Sequence, residues 1–598
     1  MSDIHKKRIN KLRELMKKDS LDYYIVPTSD PHMSEYIGEH YKFREYLTGF
    51  TGSAGTLLVG MQRAFLWTDG RYYLQAEEEL KGSEIELMRM QDEGVPSLFQ
   101  FLYDNAFDKF IGFDGSVMSQ SYYDDICEVV EEEERIRSDL TYYEEIWEER
   151  PLRESKETLH LDLDISGKKS LKKIEELLAV LYDYDAEGIM LTELSDIMWL
   201  FNIRGNDIIY NPLAYSYAFI SRNKILLFID GLKKEESAEF MEIARLQVFP
   251  YAGLYEEMEK LKGLKIIVDP DLINTRLYSC LLENNTLLEA DHTLFINKAV
   301  KNEREIELSK KYHFYDGLSV IRWIRDIKST VQKRAVSEYE AALLVDEYRA
   351  GTEGFIEASF ETICAYGENG AIVHYSPHKD KSAILKPEGF VLLDSGGQYL
   401  GATTDITRTV ALGRLTPDMK EAYTAVLKGH LRLMSLVFLK GCRGENLDIA
   451  AREPLWQLYL DYKHGTGHGV GSFLNVHEGP QAFRYKILEE HIQPPLEAGM
   501  ITSDEPGIYL RGKFGIRIEN LLLCINKAQN EWGTFLGFES LSLVPFEREA
   551  ILKEKLTFEE KKVLNDYHKM VYECYKDYLD NNDRDLKEWL KKETEAIN

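Results

Sequence analysis

At 598 residues, 44% of them hydrophobic and 29% charged, the chain is long enough for several folded domains, since single cores stop growing near ~250–300 residues. Its 73 basic against 102 acidic residues leave a net charge of −29, which excludes nucleic acid as a general partner. No apolar run approaches the ~18 residues of a membrane span, and six scattered cysteines without a CxxC pair exclude a cysteine zinc site and a dense disulfide framework.

The six thiols are expected to be reduced and mostly buried. The basic N-terminus lacks the apolar segment of a targeting peptide. Ile9, Leu12, Leu15 and Met16 recur instead at helical spacing, so a first surface helix of a cytoplasmic protein is predicted. Acidic residues are dispersed apart from 131–134, a solvated anionic surface rather than a tail.

A duplication follows. LTGFTGSAGTLLVG, from Leu47, is echoed by LFNIRGNDIIYNPLAY, from Leu200; each leads from a glycine-containing loop through two β-rich runs, ending at Asp69 and Asp230. FIGFD, ending at Asp114, is likewise echoed by KIIVD, ending at Asp269. With amphipathic helices at 171–181 and 235–244, these predict two related α/β domains, residues 1–155 and 156–298, with seams near 151–168 and 291–302.

The remainder, 299–598, reads as a third, α+β domain. Asn302 with Glu305, and Ser337 with Glu340, have capping-box spacing and open long helices. The chain turns strand-rich after Phe390. A helix returns over 557–579, with Val563, Tyr567, Met570, Cys574 and Tyr578 as its stripe, and Leu586, Trp589 and Leu590 mark a short amphipathic piece. These late aromatics read as packing residues, bracing the domain or a subunit contact.

Four segments of this domain carry chemistry. FVLLDSGGQYLGATTDITRTVAL holds Asp394 and Asp405, equidistant from a turn at Tyr399-Leu400-Gly401. As a hairpin it would set them opposite one another, roughly 4.5–5.5 Å apart, where they repel without a cation between them. The alternative is two turn-proximal aspartates facing solvent. SDEPGIYLRGKFGIRIENLLL holds Glu505 and Glu519, symmetric about Gly512, with Arg517 and Glu519 on one face of the alternating run. A glutamate among apolar strand residues is costly to bury without a partner.

HGTGHGVGSFLNVHEGP contains His464, His468 and His477. It has neither GxGxxG nor GK[ST], so its glycines do not read as a phosphate loop; they admit close approach of another element. In a strand, His464 and His468 would stand roughly 13 Å apart, at about 3.3 Å per residue, so one is a ligand candidate and the other belongs elsewhere in the site. GENGAIVHYSPH adds His374 and His378. Collected, Asp394, Asp405, His468, Glu505 and Glu519 supply four carboxylates and one imidazole. Such a set suits hard or borderline divalent ions, Mn²⁺ above all, with Co²⁺ or Zn²⁺ also possible, and two ions balance its charge better than one.

In order and spacing these motifs resemble the pita-bread metallopeptidase family, which includes methionine aminopeptidase, prolidase and aminopeptidase P. YGENGAIVHYSP and VHEGP resemble the aminopeptidase P branch, and DPHMSEY, LTGFTGSAGT and WLFNIRGNDIIYNP extend the likeness over nearly the whole chain. The resemblance implies two creatinase-type N-terminal α/β domains before a pita-bread catalytic domain, as in the long, three-domain form. It implies Asp394 on one metal ion, His468 and Glu505 on the other, and Asp405 and Glu519 bridging both. A metal-bridged hydroxide would attack the scissile carbonyl, with Glu505 as general base and His374 and His477 as catalytic residues. His374, His464, His477 and Arg517 would line or support the substrate cleft. The implied substrates are peptides with proline second, cleaved one N-terminal residue at a time by a homodimer. A Xaa-Pro dipeptidase is the nearest alternative, disfavoured by the duplicated N-terminal half. A non-enzymatic relative of the histone-chaperone type would have lost ligands, and all five are present here.

Overall fold

The apolar spacing at the N-terminus does make a helix: α1, Ser2–Lys18, buries Ile9, Leu12 and Met16. In the computed structural model, which describes residues 2–130, 132–232, 238–290, 296–487 and 493–598, the chain forms two units. One comprises Met1–Asp162 with Lys168–Phe295, the other Leu163–Gly167 with Ile296–Asn598.

The duplication is explicit in the first unit. Strands β1 (Tyr23–Pro27), β2 (Thr56–Gly60), β3 (Ala64–Thr68), β4 (Ile85–Arg89), β5 (Ile111–Gly112) and β6 (Ile136–Arg137) form a mixed sheet in the order β4-β3-β2-β1-β5-β6. Strands β7 (Gly188–Leu191), β8 (Ser216–Ser221), β9 (Ile225–Ile229), β10 (Leu246–Phe249), β11 (Lys265–Val268) and β12 (Thr286–Glu289) repeat it as β10-β9-β8-β7-β11-β12. Parallel and antiparallel pairings also match, position for position. Asp69 and Asp230 follow the equivalent strands β3 and β9. The helix expected over 171–181 is α2, Ser170–Asp183. That expected over 235–244 is seen as Ala238–Glu242, while 235–237, the start of the seam at 291 and Glu131 lie outside the described residues.

In the second unit, Leu163–Gly167 packs on α3 (Glu303–Thr330), because Asn302 Nδ2 donates to the Ser166 carbonyl and Arg304 to that of Asp164. Asn302 and Glu305 close the expected capping box. At α4 (Glu338–Ala350) only half of it forms: Ser337 caps Glu340 N, but the Glu340 carboxylate turns to Arg334 at 2.6 Å. Strands β13 (Ile363–Tyr366), β14 (Phe390–Ser395) and β15 (Ile406–Ala411) make one antiparallel sheet. After β16 (Gly467–His468), β17 (Ile501–Asp504), β20 (Asn520–Asn530) and β21 (Gly533–Ser540) belong to a second sheet, while β18 (Gly507–Leu510) and β19 (Phe514–Arg517) form a hairpin. Both β14 and β15 are buried along their whole length, so any polar side chain they carry must find an internal partner.

Two expectations need correction. Helix α5, Phe558–Asn582, is inserted through Leu564, Tyr567, Val571, Tyr575 and Leu579; Met570 and Cys574 are exposed, so the expected stripe is rotated by about one residue. Tyr575 decides this orientation. Its hydroxyl donates to the Phe314 carbonyl at 2.9 Å, and a Cβ at Gly317 of α3 would lie 2.5 Å from it. Helix α6 (Arg584–Glu593) buries Leu586 and Leu590, with Trp589 half-buried against the same core. The cysteines are free, but only Cys364 and Cys524 are buried; Cys127 and Cys280 are half-buried at the margins of their cores, and Cys574 is exposed. Leu579→Ala should therefore lower stability by about 2–5 kcal/mol, as a core truncation does. Met570→Ala should stay within about 0.5 kcal/mol, both read from urea unfolding.

Candidate metal centre

Hairpin registers decide where the acidic residues fall. The β14–β15 turn is centred between Leu400 and Gly401, so Asp394 pairs with Thr407 and not with Asp405. This corrects the expected register by two residues, and Asp405 lies just outside β15. The second register is as expected. Leu510 pairs with Phe514 around Gly512, whose φ of +69° suits glycine at the hairpin tip, and Gly507 pairs with Arg517. Further out, Asp504 of β17 pairs with Asn520 of β20 in the same alignment. Glu505 and Glu519 thus occupy equivalent places in the gap between two ladders, where the strands open.

The third contribution is β16. A Cβ at Gly467 would overlap the Ser503 carbonyl, and one at Gly469 that of Glu478, so the glycines do admit close neighbours. This seats His468 against β17, its backbone N–H donating to Ser503 Oγ at 2.9 Å. Its ring Nδ1 lies 2.9 Å from the Gly469 carbonyl, which can only accept, so Nδ1 carries the proton. Nε2 is left to point at Glu505 Oε1, 3.5 Å away, and Asp405 Oδ2, 3.7 Å away.

Asp405, His468 and Glu519 each offer a ligand atom within 4.8 Å of the others. Asp405 Oδ1, Asp394 Oδ1 and Glu519 Oε1 are buried with no donor. Burial, reinforced by the neighbouring carboxylates, drives Asp405 and Glu519 well above the usual carboxylate range. Glu505 is pushed up to about 7, chiefly by burial, with Asp394 adding and Arg517 opposing. A protein interior leaves so many oxygens without donors only where something cationic satisfies them. The donor set and its orphaned oxygens therefore fit divalent cations.

The surrounding groups hold this cluster in place. Arg517, buried, donates to Asp394 Oδ2 and, at 2.8 Å, to the Tyr509 hydroxyl, which in turn lies 2.9 Å from His464 Nε2. His464 is thus apart from the cluster, as its spacing from His468 required. Thr407 donates to Glu519 Oε2 at 2.9 Å, and Ser503 to Glu505 Oε1 at 3.4 Å. The His477 ring centroid lies 4.3 Å from that of His468, edge-on. His374 is half-buried in the loop after the 3₁₀ turn Gly367–Ala371, which packs on the β18–β19 hairpin; His378 is exposed. Sequence reasoning missed Thr407, Ser503 and Tyr509. Thr407 and Ser503 sit two residues from Asp405 and Glu505, and that same-face spacing was the signal; Tyr509, four residues after Glu505, carried a weaker one.

The sequence pattern of metallopeptidase family M24 matches residues 318–526, and that of the family's C-terminal region matches 534–597. Two patterns of the creatinase/prolidase N-terminal domain match 8–143 and 149–305. Xaa-Pro aminopeptidase 1 of Dictyostelium discoideum is 36% identical over 99% of this chain and 96% of that protein. The probable Xaa-Pro aminopeptidase P of Coprinopsis cinerea is also 36% identical, over 99% and 98%. A solved structure, the X-prolyl aminopeptidase of Caenorhabditis elegans described as a cytosolic enzyme with a di-nuclear active site, has a TM-score of 0.93 at 30% identity over 99% of both chains. The chain belongs to metallopeptidase family M24: two creatinase-type α/β domains precede a pita-bread catalytic domain.

Arg517→Ala should cost this fold about 3–5 kcal/mol, the usual penalty for orphaning one member of a buried ion pair. Urea unfolding of the chelated protein at neutral pH reads it directly; a loss below 1 kcal/mol, about the worth of an exposed pair, would show that Asp394 does not depend on the guanidinium.

Proposed function

We propose that the chain is a Xaa-Pro aminopeptidase, removing the first residue from peptides with proline second, and that residues 299–598 perform the chemistry. The observation that carries this is the full-length likeness to Xaa-Pro aminopeptidases, both N-terminal domains included. The acidic cluster with orphaned oxygens supports it. A cytoplasmic homodimer is the proposed setting, in keeping with the cytosolic Caenorhabditis elegans enzyme. No helix among the described residues is long and apolar enough to cross a membrane.

Asp394 would hold one divalent ion, His468 and Glu505 the second, with Asp405 and Glu519 between them. Mn²⁺ is the proposed metal, on the hardness of an oxygen-rich set. When bound, such ions lower the pKa of a water and polarise the scissile carbonyl. The remaining work belongs to side chains. Glu505 takes the proton of the attacking water. His477 and His374 offer donors to the charge that develops on the carbonyl oxygen. Arg517 orients Asp394 through a charged hydrogen bond, and His464 supports Arg517 through the Tyr509 hydroxyl.

Two variants separate ligand from catalyst. Asp405→Asn should lose both activity and bound metal while remaining folded. His477→Ala should keep its metal and lose kcat by about 10²–10³-fold, the range for one stabilising donor. Metal analysis beside steady-state kinetics decides; metal falling in step with kcat would make His477 a ligand.

Substrate class is tested by product analysis on Xaa-Pro, Xaa-Pro-Xaa, a longer Xaa-Pro peptide and its N-acetylated form. The Mn²⁺-loaded enzyme should free one residue from the two extended peptides, spare the acetylated one, and fall silent on chelation. Cleavage of the dipeptide alone would point to a dipeptidase.

A further inference from the structure

Glu338 opens helix α4 at 0% exposure, yet stands apart from the acidic cluster. Its oxygens gather four neutral donor groups. Oε1 accepts from Tyr366 N at 2.6 Å and Asn369 Nδ2 at 2.9 Å; Oε2 accepts from the Tyr375 hydroxyl and from Ala383 N, both at 2.7 Å. Asn369 also reaches Oε2 at 3.1 Å and the Tyr375 hydroxyl at 3.2 Å. A carboxylate loses its water at high cost, so burial this deep requires such charge-assisted bonds, and the amino end of α4 adds to them.

All four donors belong to one segment, which leaves β13 at Tyr366 and is tied back at Ala383. His374 lies inside it, between Asn369 and Tyr375. The segment departs from the strand whose Ile363 pairs with Asp394. Its 3₁₀ turn rests on the β18–β19 hairpin so closely that a Cβ at Gly515 would overlap the Gly370 carbonyl. The loop carrying His374 is therefore clamped to one buried anion and laid against the hairpin that carries Arg517.

We propose that Glu338 is a positioning residue for His374, fixing the 366–383 segment by collecting its donors; this rests on the reading of His374 as catalytic. A carboxylate that served only the fold would change stability and leave the step that uses His374 alone. In the full-length, Mn²⁺-loaded enzyme acting on a Xaa-Pro-Xaa peptide, Glu338→Gln turns an amide N–H₂ toward groups that themselves donate. It should lower kcat about tenfold to 100-fold, as small misplacements of reacting groups do, with KM and metal content little changed. The double variant with His374→Ala should be no slower than His374→Ala alone, because both remove one function. Tyr375→Phe, which removes a single donor, should lower kcat in the same sense by a few-fold and keeps the test available if Glu338→Gln fails to fold. Unchanged kcat in both Glu338→Gln and Tyr375→Phe, or losses that multiply in the double variant, would overturn the proposal while leaving His374 catalytic. Full kcat in His374→Ala would instead overturn the reading of that histidine, and the proposal with it.

Discussion

Carboxylate repulsion governs this structure. Asp394, Asp405, Glu505 and Glu519 share one buried space with the His468 imidazole beside them, and two bare carboxylates ~4 Å apart repel by about 4 kcal/mol at an effective dielectric near 20. Arg517 compensates one of the four, and hydrogen bonds from Thr407 and Ser503 relieve two others in part. The remainder appears as carboxyl groups pushed upward in pKa by burial and by each other. The sign follows directly. Without cations the folded state keeps protons that the unfolded chain releases near its ordinary carboxylate pKa, so stability falls as pH rises from there toward the folded values. Divalent cations remove that penalty, so folding and metal binding draw on the same electrostatic energy.

Holding such a cluster together requires a rigid frame, and the fold builds it from strand registers. Glu505 and Glu519 face each other because two ladders on either side share one alignment. Arg408, fully buried on β15, ties that frame to the C-terminal helices. It donates to the Glu519 carbonyl at 2.6 Å, to Asn520 Oδ1 and the Val544 carbonyl at 2.7 Å, and to the Tyr567 hydroxyl at 3.1 Å. The late aromatics of α5 are thus structural: Tyr567 is one end of a buried network whose other end is the backbone of Glu519. Polar networks of this kind specify a single arrangement because each member left unpaired would be costly.

Much of the architecture was legible in the chain itself. The repeated runs ending at Asp69 and Asp230 announced two domains of one topology, since equal strand patterns bury equal faces. Symmetry about Gly512 set Glu505 opposite Glu519, because a tight hairpin fixes its register locally. The glycines beside His468 announced close approach. Less legible were contributions that gain meaning only from a partner distant in sequence: Thr407 under Glu519, Tyr509 between Arg517 and His464, and the Glu338 carboxylate beneath the His374 loop.

The amino-acid sequence by itself determined the element types, the duplication, the five metal-site candidates and their division from His464, because these depend on periodicity, turn chemistry and spacing along one strand. Tertiary structure alone decided the pairing of Asp394 with Thr407, where moving the turn centre by one residue shifts every partner by two. It alone decided which stripe of α5 faces inward, since Val563–Tyr578 and Leu564–Leu579 are both apolar at helical spacing. The space beside Gly317 admits Tyr575 and so selects the second. Local chemistry proposes several faces and registers of similar energy, and close packing against distant residues accepts one.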